Sequence, residues 1–145
     1  MGRPHVARVL VKHGYAPTIN DIFRKFLVKG KPGYIKKEKI TLDDALKLIK
    51  GAGGQSLVAH PVSLGYGSIS EFEDILKGFI DKGLEGIEVY SSMHSQSEVN
   101  EFLRLAGKYN LIVSGGSDYH GDKGERLGYY MSGKPIPADK CSFFL

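Results

Sequence analysis

Two residues late in the chain have the types and spacing for metal chemistry. Asp118 and His120 stand two apart in Gly115-Gly116-Ser117-Asp118-Tyr119-His120-Gly121, directly after the apolar run Leu111-Ile112-Val113. A short run of that kind reads as a buried strand. An Asp and a His just past its end can aim a carboxylate oxygen and an imidazole nitrogen at one point outside the sheet. Zn²⁺, Mn²⁺ and Fe²⁺ accept such atoms as ligands. The surrounding glycines let the backbone turn sharply and leave room for a ligand. A lone Asp-x-His is more often a Gly-rich turn with the Asp capping a backbone amide. The metal reading gains from a second stretch, Leu57-Val58-Ala59-His60-Pro61, which also brings a His to the end of an apolar run.

For these residues to meet, several strands must end at the same side of one sheet. Thr41 begins a helix with Asp43 and Asp44 in its first turn, where negative charge is favourable. Leu42, Ala45, Leu46 and Ile49 form its buried stripe, and Gly51-Ala52-Gly53-Gly54 ends it. Ser56 to Ala59 reads as a central strand delivering His60, and Pro61 stops further pairing. Ser70 reads as the cap of a helix with Phe72, Ile75, Leu76, Phe79 and Ile80 on one face, closed by Gly83. Gly86-Ile87-Glu88-Val89-Tyr90 is the second strand. Its Glu88 reads as a paired or edge carboxylate rather than a ligand. Ser95 and Glu98 form a capping box ahead of Val99, Phe102, Leu103 and Ala106, and Leu111 to Val113 is the third strand. Strand–helix–strand–helix–strand over residues 55–116 implies parallel strands with right-handed crossovers. In such folds the chemistry gathers at the strands' C-terminal ends. His60, His94, Asp118 and His120 all fall at that end. Residues 133–145 read as a terminal strand or docked tail.

The front of the chain differs in charge. Residues 1–40 carry ten Lys/Arg against two Asp/Glu, whereas the remainder carries ten against fourteen. A basic front beside a more acidic back suits a partner bearing phosphate, though a solvated basic helix pair is the plainer explanation. Pro4 fits the first turn of a helix. Val6, Val9, Leu10 and His13 follow at helical spacing, and Gly14 can end it. Arg3 and His5 then sit at a helix N-terminus, where free amides and the helix dipole favour an anion. An Arg fork and an imidazole there could clamp a phosphate. From the residues alone, a solvated Arg and a capping His is the stronger reading. Thr18 caps a second helix with Ile19, Ile22, Phe23, Phe26 and Leu27 on one face. The following loop, Lys29 to Lys37, interleaves Lys with Tyr34. Such a loop could track a nucleic-acid backbone and stack a base, but more often is merely solvated.

The chain has 145 residues, 41% of them apolar, enough for one domain with a real core and against disorder. No apolar run approaches membrane-spanning length and no signal peptide is visible. The single cysteine excludes an internal disulfide and fits a reducing compartment, so a cytoplasmic location is expected. No P-loop and no Gly-x-Ser-x-Gly occurs, leaving a serine hydrolase without support.

Gly2-Arg3-Pro4-His5, Ala59-His60-Pro61 and Gly116-Ser117-Asp118-Tyr119-His120-Gly121 together resemble the PHP (polymerase and histidinol phosphatase) family of metal-dependent phosphoesterases. The resemblance is nearest to its nucleotide phosphatases and 5′-to-3′ exoribonucleases, and it extends through about Gly128. It implies the C-terminal part of a distorted (β/α)7 barrel over residues 39–145, with residues 1–38 as a helical lid. It implies His60, Asp118 and His120 as metal ligands, and Arg3 and His5 near the substrate phosphate. His94 is a further candidate for substrate contact. Mn²⁺ is the expected metal, with Zn²⁺ and Fe²⁺ as alternatives. Nucleotides or short RNA ends are the implied substrates. In the family a His-x-His pair and further His, Asp and Glu ligands precede the Gly-Arg-Pro-His segment. The chain is therefore expected to be incomplete, with little activity of its own, no catalytic residue assigned and a tendency to self-associate through exposed barrel edges. The competing reading is a non-catalytic module that binds nucleic acid or phosphate.

Overall fold

Three helices of the chain's later part each start at a hydroxyl. Thr41 accepts the Asp44 amide ahead of α3 (Leu42–Gly51), and Ser68 accepts the Glu71 amide ahead of α4 (Ile69–Ile80). Ser95 accepts the Glu98 amide ahead of α5 (Gln96–Lys108), and the Glu98 carboxylate reaches back to the Ser95 amide. Each cap satisfies one of the amides that a first turn leaves unpaired, a contribution of about 1 kcal/mol. The cap of α4 is Ser68, where the sequence suggested Ser70. Ser68 stands three residues before the amide it receives, while Glu71 turns back to take the Gly67 amide at 2.8 Å.

The computed structural model describes residues 2–36, 39–119, 126–131 and 133–142. Three strands, β1 (Leu57–Val58), β2 (Gly86–Ser91) and β3 (Ile112–Gly116), form a parallel sheet in the order β1-β2-β3. The expected strand–helix alternation is therefore present, with α4 between β1 and β2 and α5 between β2 and β3. The strand before His60 is not central: β1 is short and lies at the edge of this sheet, and β2 occupies the middle. The third strand runs further than its apolar run, through Gly115 and Gly116. A Cβ on Gly115 would lie 2.9 Å from the Tyr90 Cβ, and one on Gly116 would lie 2.9 Å from Glu88 Oε1. Only residues without a side chain let β3 approach β2 so closely at that end. Between Glu88 and Tyr90 the pairing slips by one residue, so Val89 forms a bulge.

Ile87 and Val89 of β2 are fully buried with Phe72 and Leu76 of α4 and Val99, Phe102 and Leu105 of α5. The Phe72 and Phe102 rings meet edge-on at 5.1 Å. Outside this core Glu73 ties α4 to the end of α5 by accepting from Lys108 Nζ at 2.7 Å and from the Tyr109 hydroxyl. Beyond β3, β4 (Tyr129–Tyr130) and β5 (Lys134–Pro135) pair antiparallel, and Tyr130 packs edge-on against Tyr90. The stretch 133–142 is thus partly a hairpin strand and partly a short 3-10 turn; Phe143-Phe144-Leu145 lies outside the described residues.

By its contacts the chain divides into two units, Met1–Ile40 and Thr41–Leu145. The first contains α1 (Arg3–Lys12) and α2 (Ile19–Ile22), capped by Thr18. α2 runs on into a single π turn over Phe23–Leu27, closed by Val28 N–H to the Phe23 carbonyl. Ala7, Ala16, Ile22 and Leu27 form its small core, with Phe23 and Phe26 against it. Among the described residues no helix is long and apolar enough to cross a membrane.

Candidate metal and phosphate sites

Parallel pairing brings the C-terminal ends of β1, β2 and β3 to one side of the sheet. His60 follows β1 by two residues. Its backbone is left-handed, with φ 30° and ψ 66°, and the next residues, Pro61–Leu64, form a 3-10 turn. For a residue with a Cβ that conformation costs roughly 1–2 kcal/mol. Two contacts hold it. The His60 amide donates to Glu88 Oε2, and the ring Nδ1 lies 2.8 Å from Ser63 Oγ. The ring is thereby fixed through one nitrogen while Nε2 stays open, the way a metal-bound imidazole is usually oriented.

Asp118 follows β3 by two residues and is also left-handed, at φ 52°. Asp tolerates this region better than most residues. Gly116 lies between it and Glu88. The position a Gly116 Cβ would take is 2.9 Å from Glu88 Oε1 and 3.9 Å from the Asp118 amide nitrogen. Glu88, on the middle strand, therefore stands between the two loops that carry His60 and Asp118. An imidazole and a carboxylate at the same end of one sheet are of the ligand types that a divalent transition metal takes. The third expected ligand, His120, lies outside the described residues. Among the described residues no group of three or more His, Cys, Asp or Glu is gathered tightly enough to hold a metal.

His94 ends the turn after β2. Its ring is only 3% exposed, edge-on to Phe102 at 4.9 Å. Nδ1 lies 2.7 Å from the Val89 carbonyl oxygen and must carry the hydrogen of that bond. Among the described residues Nε2 is buried without a hydrogen-bond partner, as is the Tyr66 hydroxyl. Burial and then the nearby Glu98 charge push the Tyr66 hydroxyl above its ordinary pKa. Burial pushes the Glu98 carboxyl up as well, but the Ser95 hydroxyl and amide outweigh it, and the net shift is downward. In this packing His94 anchors its turn to the bulge in β2.

In the first unit Arg3 and His5 do occupy the first turn of α1. Arg3 Nη1 donates to the Leu27 carbonyl at 3.3 Å, and its guanidinium sits 5.9 Å from the centre of the Tyr34 ring. His5 Nδ1 accepts the Gly2 amide at 3.3 Å. Arg3 borders a cavity of about 460 Å³ lined mainly by Val6, Leu10, Phe26 and Leu27. A cavity of equal volume in the second unit is lined by Lys47, Lys50 and the Lys82–Asp43 ion pair, beside the turn that enters β2. That places it at the opposite end of the sheet from His60 and Asp118.

Two contributions were not legible beforehand. Glu88 read as a paired or edge carboxylate, but nothing in the sequence named the His60 amide as its partner. Ser63 stands three residues past His60, within reach of its ring, with nothing in the sequence to single it out.

A parallel sheet with helices between its strands, and an acid and a histidine at the strands' C-terminal ends, defines an α/β protein with both side chains at the end where such folds carry their chemistry. No family model matches the chain. It is 37% identical over 138 residues to a 3′,5′-nucleoside bisphosphate phosphatase of Chromobacterium violaceum, covering 94% of this chain and 48% of the relative. It is 34% identical over 118 residues to a 5′-3′ exoribonuclease of Salmonella typhimurium, covering 81% and 40%. Among solved structures, a candidate metal-dependent phosphoesterase from Bifidobacterium adolescentis superposes with a TM-score of 0.68 at 30% identity, covering 90% of this chain and 46% of that one. The chain belongs to the PHP family of phosphoesterases. It spans about half the length of the curated relatives it matches.

Proposed function

We propose that the chain is part of a metal-dependent phosphoesterase that hydrolyses phosphate esters of nucleotides or short RNA ends. One observation carries this reading: His60 and Asp118 follow the C-terminal ends of two strands whose shared neighbour carries Glu88, which takes the His60 amide and lies beside Gly116, two residues before Asp118. The relatives' names supply the ester class: one acts on nucleoside bisphosphates, another on RNA from its 5′ end. His60, Asp118 and His120 would hold the metal, with Mn²⁺ as first choice and Zn²⁺ or Fe²⁺ as alternatives. Such a metal lowers the pKa of a bound water and neutralises charge on the phosphoryl oxygens.

The chain's own residues bind and orient. Arg3 spends one N–H donor on Leu27 and keeps the rest of its fork for a phosphate. His5 keeps Nε2, since Nδ1 takes the Gly2 amide. Val6, Leu10 and Phe26 beside Arg3 offer an apolar wall for a nucleoside. His94 spends Nδ1 on the Val89 carbonyl, so a bond to substrate would fall to Nε2 and would require its buried turn to open. The sheet would continue past β1 as a distorted (β/α)7 barrel, with residues 1–38 as its lid. An edge left open at β1 would favour self-association, which sedimentation detects.

The test is metal analysis with a phosphate-release assay, on this chain and on a longer chain that contains it. Three ligands suffice for one open metal position but leave a cluster unfinished. The expected result is at most one weakly held divalent metal and little release from this chain. The longer chain should show Mn²⁺-dependent release that Asp118→Ala abolishes. Release that is independent of metal in the longer chain overturns the reading. Tight RNA binding without turnover would transfer it to a binding module, which the basic charge of residues 1–40 favours.

A further inference from the structure

We infer that Glu88 is a positioning residue of the candidate metal site, setting the backbone of the His60 loop and reserving Gly116 as the surface its carboxylate rests on. The inference builds on the phosphoesterase reading and names a residue that the ligand set does not include. Glu88 sits on the middle strand, opposite Ser114 of β3 and just before the bulge. Its neighbours Ile87 and Val89 are fully buried, while Glu88 itself is partly exposed. Oε2 accepts the amide of His60, whose carbonyl in turn takes the Ser63 amide at 2.9 Å, so both backbone groups of this left-handed residue are held. Oε1 occupies the space next to Gly116 that a side chain there would fill.

Gly116 does not have a positive φ, so its lack of a side chain is not required by its own backbone. What requires it is the carboxylate. One side chain therefore spaces the β1 and β3 loops relative to each other, and each of its oxygens serves one loop. If the carboxylate is lost, the His60 turn loses its amide partner, and the Ser63 hydroxyl alone is left to direct the ring. If a methyl group is added at Gly116, the carboxylate is displaced and the same partner is lost by another route.

These two routes make a cycle that a general packing role would not reproduce. The measurements, on the chain itself, are hydrogen exchange of the His60 amide and Mn²⁺ affinity by water proton relaxation. Glu88→Ala and Gly116→Ala should each speed His60 amide exchange and weaken Mn²⁺ binding roughly tenfold or more, as loss of an outer-shell partner does. Glu88→Gln keeps an acceptor oxygen and should retain most of both. The double variant should be no worse than Glu88→Ala alone, because without the carboxylate the added methyl displaces nothing. The inference is overturned if the two single effects add, or if both variants leave the His60 amide and Mn²⁺ affinity unchanged in folded protein. Should Glu88→Ala fail to fold, Gly116→Ala decides on the same two readouts. If the unaltered chain binds no Mn²⁺, amide exchange alone decides whether Glu88 holds the His60 turn, and metal-dependent release from the longer chain decides the phosphoesterase reading.

Discussion

Replacing Phe102 by alanine should test whether α5 holds the second unit together. The ring is completely buried, with Phe72 of α4 on one side at 5.1 Å and His94 on the other at 4.9 Å, both edge-on. Truncation removes the ring that joins a helix core to the turn after β2. A buried Phe→Ala change costs about 3–5 kcal/mol, out of a total that is about 5–15 kcal/mol for a domain. With a urea slope of about 2 kcal/mol per molar, the unfolding midpoint should fall by roughly 1.5–2.5 M. Leu48→Ala on α3 is the control: Leu48 is 64% exposed, and such a change shifts stability by no more than about 0.5 kcal/mol. Urea titrations followed by circular dichroism give both numbers. A Phe102→Ala shift below about 0.5 M, or one matched by Leu48→Ala, would refute the claim that this ring is the junction.

Arg3→Ala in a longer chain containing this one should weaken nucleotide phosphate binding roughly 10- to 150-fold, the equivalent of about 1.5–3 kcal/mol. Bound metal should stay unchanged; calorimetry with metal analysis reads both, and unaltered affinity removes Arg3 from the site. Acid stability should depend on Glu73. Hydrogen bonds from Lys108 and then Tyr109 hold its carboxyl near about 2, below the ordinary 4.5. Because the folded value is the lower one, its contribution is complete above pH 4.5 and is lost as the pH falls from there toward 2. Unfolding titrations of Glu73→Gln should accordingly show a shallower loss of stability over that window, and an identical slope would dismiss the Glu73 cluster.

The elements that could be read in advance were those with a local signal. Phe72, Leu76, Phe102 and Ala106 at helical spacing, and Ser95 paired with Glu98, marked α4 and α5 because side-chain periodicity and capping are properties of neighbouring residues. The alternation of strands and helices then gave the parallel sheet and the end at which His60 and Asp118 would lie. What stayed hidden depends on contacts between distant segments. Glu88 belongs to the site because β2 passes between β1 and β3, and no pattern around residue 88 records that order. The reach of β3 through Gly116 was missed because glycines ordinarily weaken a strand; here they permit the approach of Tyr90 and Glu88. His94 read as a loop residue at the C-terminal end of the second strand and a candidate for substrate contact; that the Val89 carbonyl and Phe102 bury it was not legible.

The bulge at Val89 acts as a one-residue offset in the phase of the sheet. Up to Glu88 the two strands run in one register, and from Tyr90 onward in the next. Had β2 and β3 stayed in step, Gly116 would pair with Tyr90 instead of Ser91. The loop bearing Asp118 would then be displaced by about 3.3 Å along the strand, with its side chains turned to the opposite face. The distance in sequence from Val89 to Asp118 is therefore a quantised length. Evolution can recolour the surface of α5 freely, but a single residue deleted inside β2 or β3 would rotate the acid away from the histidine.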